Sequence, residues 1–431
     1  MRKFFIILAA AALTLSACSK VEIKDSTPDQ KITFQTANYV PQTKANEVSF
    51  LNEFKAGETP QFNSIAYMYG EGVYREGSTT VLESQYFFGE DGEKIYAYAT
   101  AAATGAANAV TIPSTGTPTV DHWAPSHDYY WPKSKNSYVD FFSWYDNGID
   151  ENNKPLGPTV TPTAIMEWKD RVIGLNDNIM YADPAWHFQQ NISTYHIDNT
   201  SIVGVPTLFH HALAQIELLV YVASANENET LTANSDGTVS NGTAKWTIQL
   251  TDMDLTIKNK GTLSLKSDPP TSSTSFYNQK GTWYKGGSST DTAPAWVPAA
   301  DTKNLFLSGT STTVTPFPVK AIVSTADDAK LLANQSVLPQ DLTGVNLTFK
   351  LDITTTYITG GQTNQEIIPI EISLPSKKVD DVETGFATGA WAMNTKYIYT
   401  IKIIPSENKV LFDPAVEKAW ETVTVTPDKE I

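Results

Sequence analysis

Alternation of apolar and polar residues with a period of two is the dominant pattern along the chain. Such alternation predicts β-strands with one buried side and one solvent-facing side. The best example runs from Val345 to Ile353, and similar runs start at Ile216, Trp246, Ile368 and Tyr397. Turn residues separate these runs, and no stretch of convincing helical periodicity interrupts them. The sequence therefore predicts an all-β protein built from antiparallel β-sandwiches.

Two short alternating runs lie near the ends of the chain. In the first, Ile32 and Phe34 alternate with polar residues before Pro41 ends the run. In the second, Val423 and Val425 alternate with threonines before Pro427. The second run predicts a strand with few apolar groups to hold it in its own domain. An ordinary edge strand of the C-terminal sandwich is the alternative interpretation.

The alternation of apolar and polar residues is interrupted near residue 200, where we place a domain boundary. This predicts an N-terminal sandwich over residues 45–200 and a C-terminal sandwich over residues 201–431. Residues 266–304 are rich in Ser, Thr, Gly and Pro. They predict a surface excursion that carries Trp283 and Trp296.

The first residues have the features of a bacterial export signal. Arg2 and Lys3 precede an apolar run over residues 4–15, which is too short to span a bilayer comfortably. The run ends in Leu15-Ser16-Ala17-Cys18, which resembles a lipobox. Residues 1–17 are therefore predicted to be a lipoprotein signal peptide, with Cys18 carrying diacylglycerol. The alternative is a plain secretory signal followed by a cysteine that is there by chance.

The residue after the lipobox cysteine bears on localisation. Ser19 is not the aspartate that favours retention in the inner membrane, so the outer membrane is the predicted destination. After the signal, no apolar run approaches the length of a membrane helix. The body is therefore predicted to be tethered by lipid alone.

The charge argues against a nucleic-acid-binding protein, and the cysteine content argues against a protein stabilised by disulfides. The formal net charge is −16, from 31 basic and 47 acidic residues, which is the wrong sign for binding a nucleic-acid backbone. Cys18 is the only cysteine, so an exported chain has no internal disulfide.

Motifs for catalysis or metal binding are missing from the sequence. There is no Gly-x-Ser-x-Gly elbow, no His-Glu-x-x-His and no phosphate-binding Gly-x-x-x-x-Gly-Lys. Asp121-His122 and His127-Asp128 offer metal ligands, but their spacing matches no standard site. His210 and His211 precede a strand and point to opposite faces. We therefore expect no enzyme activity, no cofactor and no metal.

A group of aromatic residues allows a second function to be considered. Its members are Trp123, Tyr129, Tyr130, Trp131, Trp144 and Tyr145. Exposed aromatic rings could stack against sugars, although in sandwich strands such residues are more often part of the core.

The order of several short motifs resembles the fimbrillin family, the lipoprotein-precursor pilins of type V fimbriae. A lipobox precedes an alternating strand that ends at Thr43-Lys44-Ala45, and Tyr130-Trp131-Pro132 precedes an aromatic strand. The later landmarks, which complete the order over nearly the whole mature chain, are Ile179-Met180-Tyr181-Ala182, Phe209-His210-His211-Ala212-Leu213-Ala214, Leu338-Pro339-Gln340, Trp391 with Lys396-Tyr397-Ile398-Tyr399-Thr400, and Trp420.

The resemblance implies a fold and a route of assembly. The fold is two tandem transthyretin-like sandwiches, and the route passes through the outer membrane to a fimbrium on the cell surface. A trypsin-like maturation protease then removes the lipidated propeptide, here residues 18–44, and Lys44-Ala45 occupies the matching cleavage position. The family usually has arginine there.

In the family, the groove that is left behind accepts the C-terminal strand of another subunit. By this resemblance Ile32 and Phe34 belong to the displaced strand, and Val423 and Val425 belong to the donor strand. The implied partners are other pilin subunits, in a homopolymer or a heteropolymer that supports adhesion. The alternative is a monomeric outer-membrane lipoprotein that binds glycans through exposed aromatic residues.

Overall fold

The computed structural model describes fourteen segments of the chain. They are residues 31–38, 49–69, 85–99, 109–132, 137–174, 176–189, 195–197, 200–202, 204–271, 276–286, 292–306, 317–318, 330–374 and 389–419. Within them, strands dominate, and the helical elements are short 3-10 turns such as Phe50–Glu53 and Pro405–Glu407. The predicted all-β class is confirmed, whereas the division into two transthyretin-like sandwiches stays a prediction.

The described strands are numbered in chain order. The first thirteen are β1 (Phe34–Asn38), β2 (Gln61–Tyr69), β3 (Gln85–Tyr98), β4 (His122–Pro125), β5 (Tyr138–Asp146), β6 (Thr159–Val160), β7 (Ile165–Val172), β8 (Ile179–Ala182), β9 (Ala185–Phe188), β10 (Tyr195–Ile197), β11 (Thr200–Ile202), β12 (Val205–His211) and β13 (Ala214–Val222). The remaining ones are β14 (Thr232–Ala233), β15 (Val239–Ser240), β16 (Ala244–Lys258), β17 (Lys260–Lys266), β18 (Gln279–Lys280), β19 (Tyr284–Lys285), β20 (Trp296–Pro298), β21 (Thr302–Asn304), β22 (Phe317–Pro318), β23 (Lys330–Val337), β24 (Val345–Tyr357), β25 (Thr363–Leu374), β26 (Thr395–Ile404) and β27 (Lys409–Ala419).

The C-terminal part contains two sheets packed around one core. One sheet has the order β23-β13-β26-β27, and the other has the order β14-β15-β16-β24-β25. The period-two patterns explain this arrangement, because β13, β16, β24 and β26 each alternate between buried and less buried positions. Apolar residues of these four strands form most of the core between the sheets.

In the N-terminal part, strand pairing closes on itself. The order β5-β2-β3-β4-β1-β12-β8 runs through neighbouring strands, and β8 pairs again with β5. We call this closed circuit of strands the ring. It encloses a core rich in phenylalanine, to which Phe34 of β1 and Ile32, two residues before it, both contribute.

A second core lies on the other side of β2 and β5. It is shared with a sheet that contains β6, β7, β17 and β19, with β20 paired to β17. Strands from both sides of residue 200 therefore pack together, since β17 pairs with β7. The boundary at residue 200 remains a prediction of the sequence.

The prediction of a surface excursion over residues 266–304 is wrong for the two tryptophans in this range. Trp283 and Trp296 are buried in the core shared by the ring and the neighbouring sheet. Their indole N–H groups donate to the carbonyls of Ala182 at 2.7 Å and Ala212 at 2.6 Å. Each indole thus lies over a strand end of the N-terminal part and satisfies a buried backbone carbonyl there.

Pairing direction also differs from the prediction in two places. Among the described strands, β1 runs parallel to β12 and β13 runs parallel to β26, while the other pairings are antiparallel. Parallel neighbours require a long connection between them, so turn residues in the sequence give no signal for them. Within the described segments, no helix has the length and apolar character needed to cross a membrane.

Candidate functional site

The N-terminal strand β1 closes the ring. It lies between β12, to which it is parallel over the pairs Phe34–Val205 to Asn38–Phe209, and β4, to which it is antiparallel at Phe34–Trp123. Because it has a strand on each side, its absence would leave an edge on β12 and another on β4. The backbone N–H and C=O groups of β4 and β12 that pair with β1 would then lack a hydrogen-bond partner.

Apolar anchors hold β1 in the ring. Ile32 and Phe34 are each 1% exposed and Ala37 is 7% exposed. The ring of Phe34 makes edge-on contacts with Phe62 and Phe141, both at 5.6 Å between centroids, and with Phe88 at 6.4 Å. Such T-shaped arrangements are favourable for aromatic pairs. The side chain thus fills a pocket made by three other ring strands, β2, β3 and β5.

The loop between β4 and β5 holds the start of the strand. The Ile32 amide donates to the carbonyl of Tyr129 at 2.8 Å, and Lys31 forms a β-bridge with Tyr130. The Lys31 ammonium lies 2.7 Å from a carboxylate oxygen of Asp128. The hydrogen bond from Lys31 lowers the pKa of Asp128. We call residues 126–132 the clasp.

Gly204 permits β12 to approach the strand closely. The Val205 amide donates to the carbonyl of Thr33 at 2.7 Å. Gly204 has a φ of +116°, and a Cβ added there would lie 2.7 Å from that same carbonyl oxygen. Glycine is therefore required on two counts, the positive φ and the contact with β1.

The chain returns to the same core soon after the strand. Phe50, in the 3-10 turn, stacks on Phe209 of β12 at 4.3 Å and contacts Trp123 at 5.6 Å. Residues 39–48 connect Asn38 to this turn and lie outside the described residues. They include the predicted cleavage position Lys44-Ala45.

Solved structures with fimbrial descriptions are similar to this chain. A fimbrial protein from Bacteroides vulgatus is 15% identical, with a TM-score of 0.39, and the match covers 91% of this chain and 100% of that one. A candidate cell adhesion protein from Bacteroides uniformis is 13% identical, with a TM-score of 0.33, and the match covers 91% and 98%. The fimbrial anchor protein Mfa2 from Porphyromonas gingivalis is 9% identical, with a TM-score of 0.25 and the same coverage.

No family model matches the chain, and no curated protein matches it. The identities and TM-scores of these three matches are low.

The predicted site residues have different outcomes. Ile32 and Phe34 lie side by side in one groove, as described above. Cys18, Lys44, Ala45, Val423 and Val425 lie outside the described residues. Their predicted roles therefore stay predictions.

The histidine and aspartate pairs take part in local contacts. His122 lies 3.0 Å from Asp121 and stacks on Tyr98, and His210 lies 2.9 Å from Asp183. His211 lies instead against Glu53, at 3.3 Å. Among the described residues, no group of three or more ligating side chains is arranged to hold a metal ion.

The aromatic residues considered for sugar stacking contribute mainly to the core. Trp123, Trp131 and Trp144 are buried, and Tyr129 and Tyr145 pack against the core of the ring. Tyr130, at 42% exposed, is the member of this set with a largely accessible ring. Five of the six residues therefore contribute to the core, as is usual for aromatic residues in sandwich strands.

A buried acid–base pair lies beside the ring core. Burial raises the pKa of Asp140, although its carboxylate accepts a hydrogen bond from the His187 amide at 2.6 Å. Burial lowers the pKa of His187 to about 4, and its ring contacts the Phe276 carbonyl at 2.8 Å. Both groups are therefore biased towards their neutral forms in the folded chain.

A polar cleft of about 680 Å³ opens at one end of the ring. Its walls include residues of β5, residues of the loops at 147–149 and 176–178, and polar residues of β13 and β23. Asp146 lines it, but its carboxylate accepts from Arg171 at 2.9 Å and from the indole of Trp168 at 3.2 Å. Arg171 also lies 2.8 Å from Asp177. These charges tie β5 to β7 and serve the fold.

Sequence reasoning missed most of the groove that receives the strand. In the sequence Phe62, Phe88 and Phe141 are apolar residues in other segments, and no local pattern indicates that they contact Phe34. Gly204 directly precedes β12, and nothing in the sequence around it shows that the Thr33 carbonyl lies close to it.

Proposed function

We propose that this chain is a structural subunit of a cell-surface fimbria, exported as a lipoprotein and assembled by exchange of its N-terminal strand. The observation that carries the proposal is the position of β1, which closes the ring between β4 and β12. Its only covalent link to the other ring strands runs through residues 39–48. One cut in that link would leave β1 held by noncovalent contacts alone.

Export and anchoring precede this step. The signal peptide 1–17 is removed, Cys18 takes the lipid, and the chain reaches the outer membrane as a tethered precursor. A maturation protease then cuts between Lys44 and Ala45, because Gln42 to Asn46 is polar and follows Pro41, which disfavours strand pairing. Residues 18–44 remain with the lipid.

Loss of the strand would create a strong docking site for another strand. Two backbone edges and the pockets of Ile32 and Phe34 would be opened together. Burying two side chains of this size contributes about 3–6 kcal/mol before ordering costs, and the backbone pairing adds to it. A donor strand restores both kinds of contact.

The C-terminal run supplies the donor strand for a neighbouring subunit. There Val423 and Val425 take the inward positions that correspond to Ile32 and Phe34. The chain has no enzyme activity in this proposal, and its partners are other pilin subunits, the maturation protease and the membrane through the lipid. A glycan-binding monomeric lipoprotein is the alternative, which the burial of Trp123, Trp131 and Trp144 disfavours.

The test follows the chain in the bacterium that produces it. Filaments are sheared from the cells, and the chain within them is analysed by N-terminal sequencing and by its migration in assemblies that resist detergent. We expect a mature N-terminus at Ala45. The matched variants Lys44→Ala and Cys18→Ala should instead stay out of the filaments.

A third variant, lacking residues 421–431, should be folded and exported but should fail to donate a strand. If the full chain keeps residues 18–44 and stays monomeric in the membrane, with no copy in sheared filaments, the proposal is refuted.

A further inference from the structure

The amide side chains that line the polar cleft at the end of the ring fall into two groups. Those of the first group are used by the fold. The Asn147 side chain donates to the Asn176 carbonyl at 3.0 Å and accepts from the Asn178 backbone amide at 2.6 Å. The Asn178 side chain donates to the Glu53 carboxylate at 2.7 Å. This part of the cleft is therefore held in place by its own hydrogen bonds.

The second group of amides is not used in this way. Gln61 and Asn63 belong to β2 of the ring, and Gln215 and Asn334 belong to β13 and β23 of the C-terminal part. Among the described residues, none of these four side chains makes a hydrogen bond. Gln61, Asn63 and Gln215 are nevertheless partly buried. Their hydrogen-bonding groups are therefore left for water or for a ligand in the cleft.

Amide side chains are suited to one class of ligand in particular. A primary amide has two N–H donors and a carbonyl acceptor in one plane. Neighbouring hydroxyl groups of a sugar ring each donate and accept, so one amide can bond to two of them at once. A carboxylate or a metal ion would use only the donors or only the acceptor.

The charged side chains of the cleft do not favour an ion of either sign. Asp146 and Asp177 are both paired with Arg171. The exposed charged residues that line the cleft have both signs, and they are Lys55, Glu58 and Lys94. The hydrogen-bonding capacity of the cleft therefore comes mainly from uncharged groups, which suits a neutral ligand.

An exposed apolar pair lies beside these polar groups. Ile149 is 60% exposed and forms a β-bridge with Pro155, which is also exposed, and both residues line the cleft. A sugar ring carries C–H groups on its faces and hydroxyl groups around its edge, so it can use an apolar contact and amides together. The cleft volume of about 680 Å³ lies within the range that is typical of small-ligand sites.

We propose that the polar cleft binds a neutral oligosaccharide. Asn63 on the ring and Gln215 on the C-terminal part bond to its hydroxyl groups from two sides. Ile149 and Pro155 contact the C–H face of one of its rings. The subunit is then an adhesin as well as a structural element, with a sugar site on every copy. This inference goes beyond the proposed function and does not rest on strand exchange, so either can fail alone.

The test uses the full mature chain, residues 18–431, and follows sugar binding by NMR titration. The neutral probes are maltotriose, mannotriose, galactotriose and chitotriose. Trigalacturonic acid is the matched acidic probe, because it differs from a neutral galactose trimer in its carboxylates. The variants Asn63→Ala and Gln215→Ala each remove one amide, from opposite sides of the cleft. Asn364→Ala is the control, because it removes an exposed amide of β25 that does not line the cleft.

We expect at least one neutral trisaccharide to bind with a Kd of about 1 mM or lower. Each cleft variant should weaken that binding by about two- to tenfold, the effect of losing one hydrogen bond, and Asn364→Ala should leave it unchanged. All three variants should unfold at the temperature of the unchanged chain, since their side chains make no hydrogen bond within the described part of the fold. If one cleft variant is unstable, the other supplies the comparison.

Three results would overturn the inference. The first is that no neutral probe binds at this level. The second is binding that persists unchanged in both cleft variants, which would place the sugar elsewhere on the chain. The third is tighter binding of trigalacturonic acid than of every neutral probe, because the lysines rather than the amides would then select the ligand.

Discussion

Replacement of Phe34 by alanine should release the N-terminal strand once the chain is cut after Lys44. Phe34 is buried and makes three aromatic contacts within the ring. Phenylalanine-to-alanine substitutions in cores of this kind cost about 3–5 kcal/mol. In the cut chain the strand is held only by noncovalent contacts, so this cost appears directly as weaker binding of residues 18–44.

The expected change in affinity is large. Since 1.4 kcal/mol corresponds to a factor of ten, the loss of about 3–5 kcal/mol weakens binding of the strand by about a hundredfold to a few thousandfold. Most of the change should be seen in the dissociation rate, as is usual for substitutions within one interface.

The single cysteine of the chain provides the assay. When the protein is made without its signal peptide, the Cys18 thiol is not lipidated and is the only site for a thiol-reactive fluorophore. After the cut, the label leaves the body together with the strand, and its anisotropy falls. Dissociation rates are compared for the unchanged chain, Phe34→Ala and Gln35→Ala, a substitution at a partly exposed position next to Phe34.

Gln35→Ala should differ from the unchanged chain by less than tenfold. The reasoning would be refuted if Phe34→Ala released the label no faster than Gln35→Ala does. It would also be refuted if the strand of the unchanged chain left immediately after cleavage, because the groove would then contribute no binding of its own.

Three further substitutions test other parts of the site. Gly204→Ala should speed release of the cut strand, whereas Gly344→Ala, at a positive φ with open space around it, should not. Asp128→Asn should speed release several-fold at low salt, and the difference should vanish at 1 M salt, where the Debye length falls to about 3 Å. Asp140→Asn removes a carboxyl group whose raised pKa stabilises the folded chain at low pH. It leaves the depressed pKa of His187, whose contribution to stability is present above pH 6.5 and is lost as the pH falls towards about 4. The free energy of unfolding of this variant should therefore rise by up to about 1.4 kcal/mol per pH unit through that window, more steeply than in the unchanged chain, and equal slopes in urea titrations would contradict it.

Strands with clean alternation were predictable because their cause is local. In β24 the apolar residues Leu347, Phe349, Leu351 and Ile353 are buried and their neighbours are less so, as a sheet with one covered face requires. The same holds for β13 and β26. No long-range information is needed to read such a pattern.

The closure of the ring was not predictable in the same way. Phe34 pairs with Val205, which is far away in the sequence, and the pair is parallel, so no turn joins the two strands. Trp283 and Trp296 were misplaced for a related reason. Their flanking residues resemble a loop, and the core that buries them and the carbonyls of Ala182 and Ala212 that accept their indole hydrogen bonds lie in distant segments.

The parallel pairing of β1 with β12 also bears on how replaceable the strand is. A strand joined to its neighbour by a tight hairpin cannot leave without breaking that turn, and its register is fixed by the turn. β1 is joined to neither of its neighbours, β4 and β12, by such a turn. Its register comes from the burial of Ile32 and Phe34 in the ring core and from the hydrogen bond that the Val205 amide donates to the Thr33 carbonyl. Side-chain fit in the ring core therefore has a large part in deciding which strand occupies this position. A segment from any polypeptide that pairs in this register satisfies the same backbone groups, so the choice between partners depends on how well its side chains fill the places of Ile32 and Phe34.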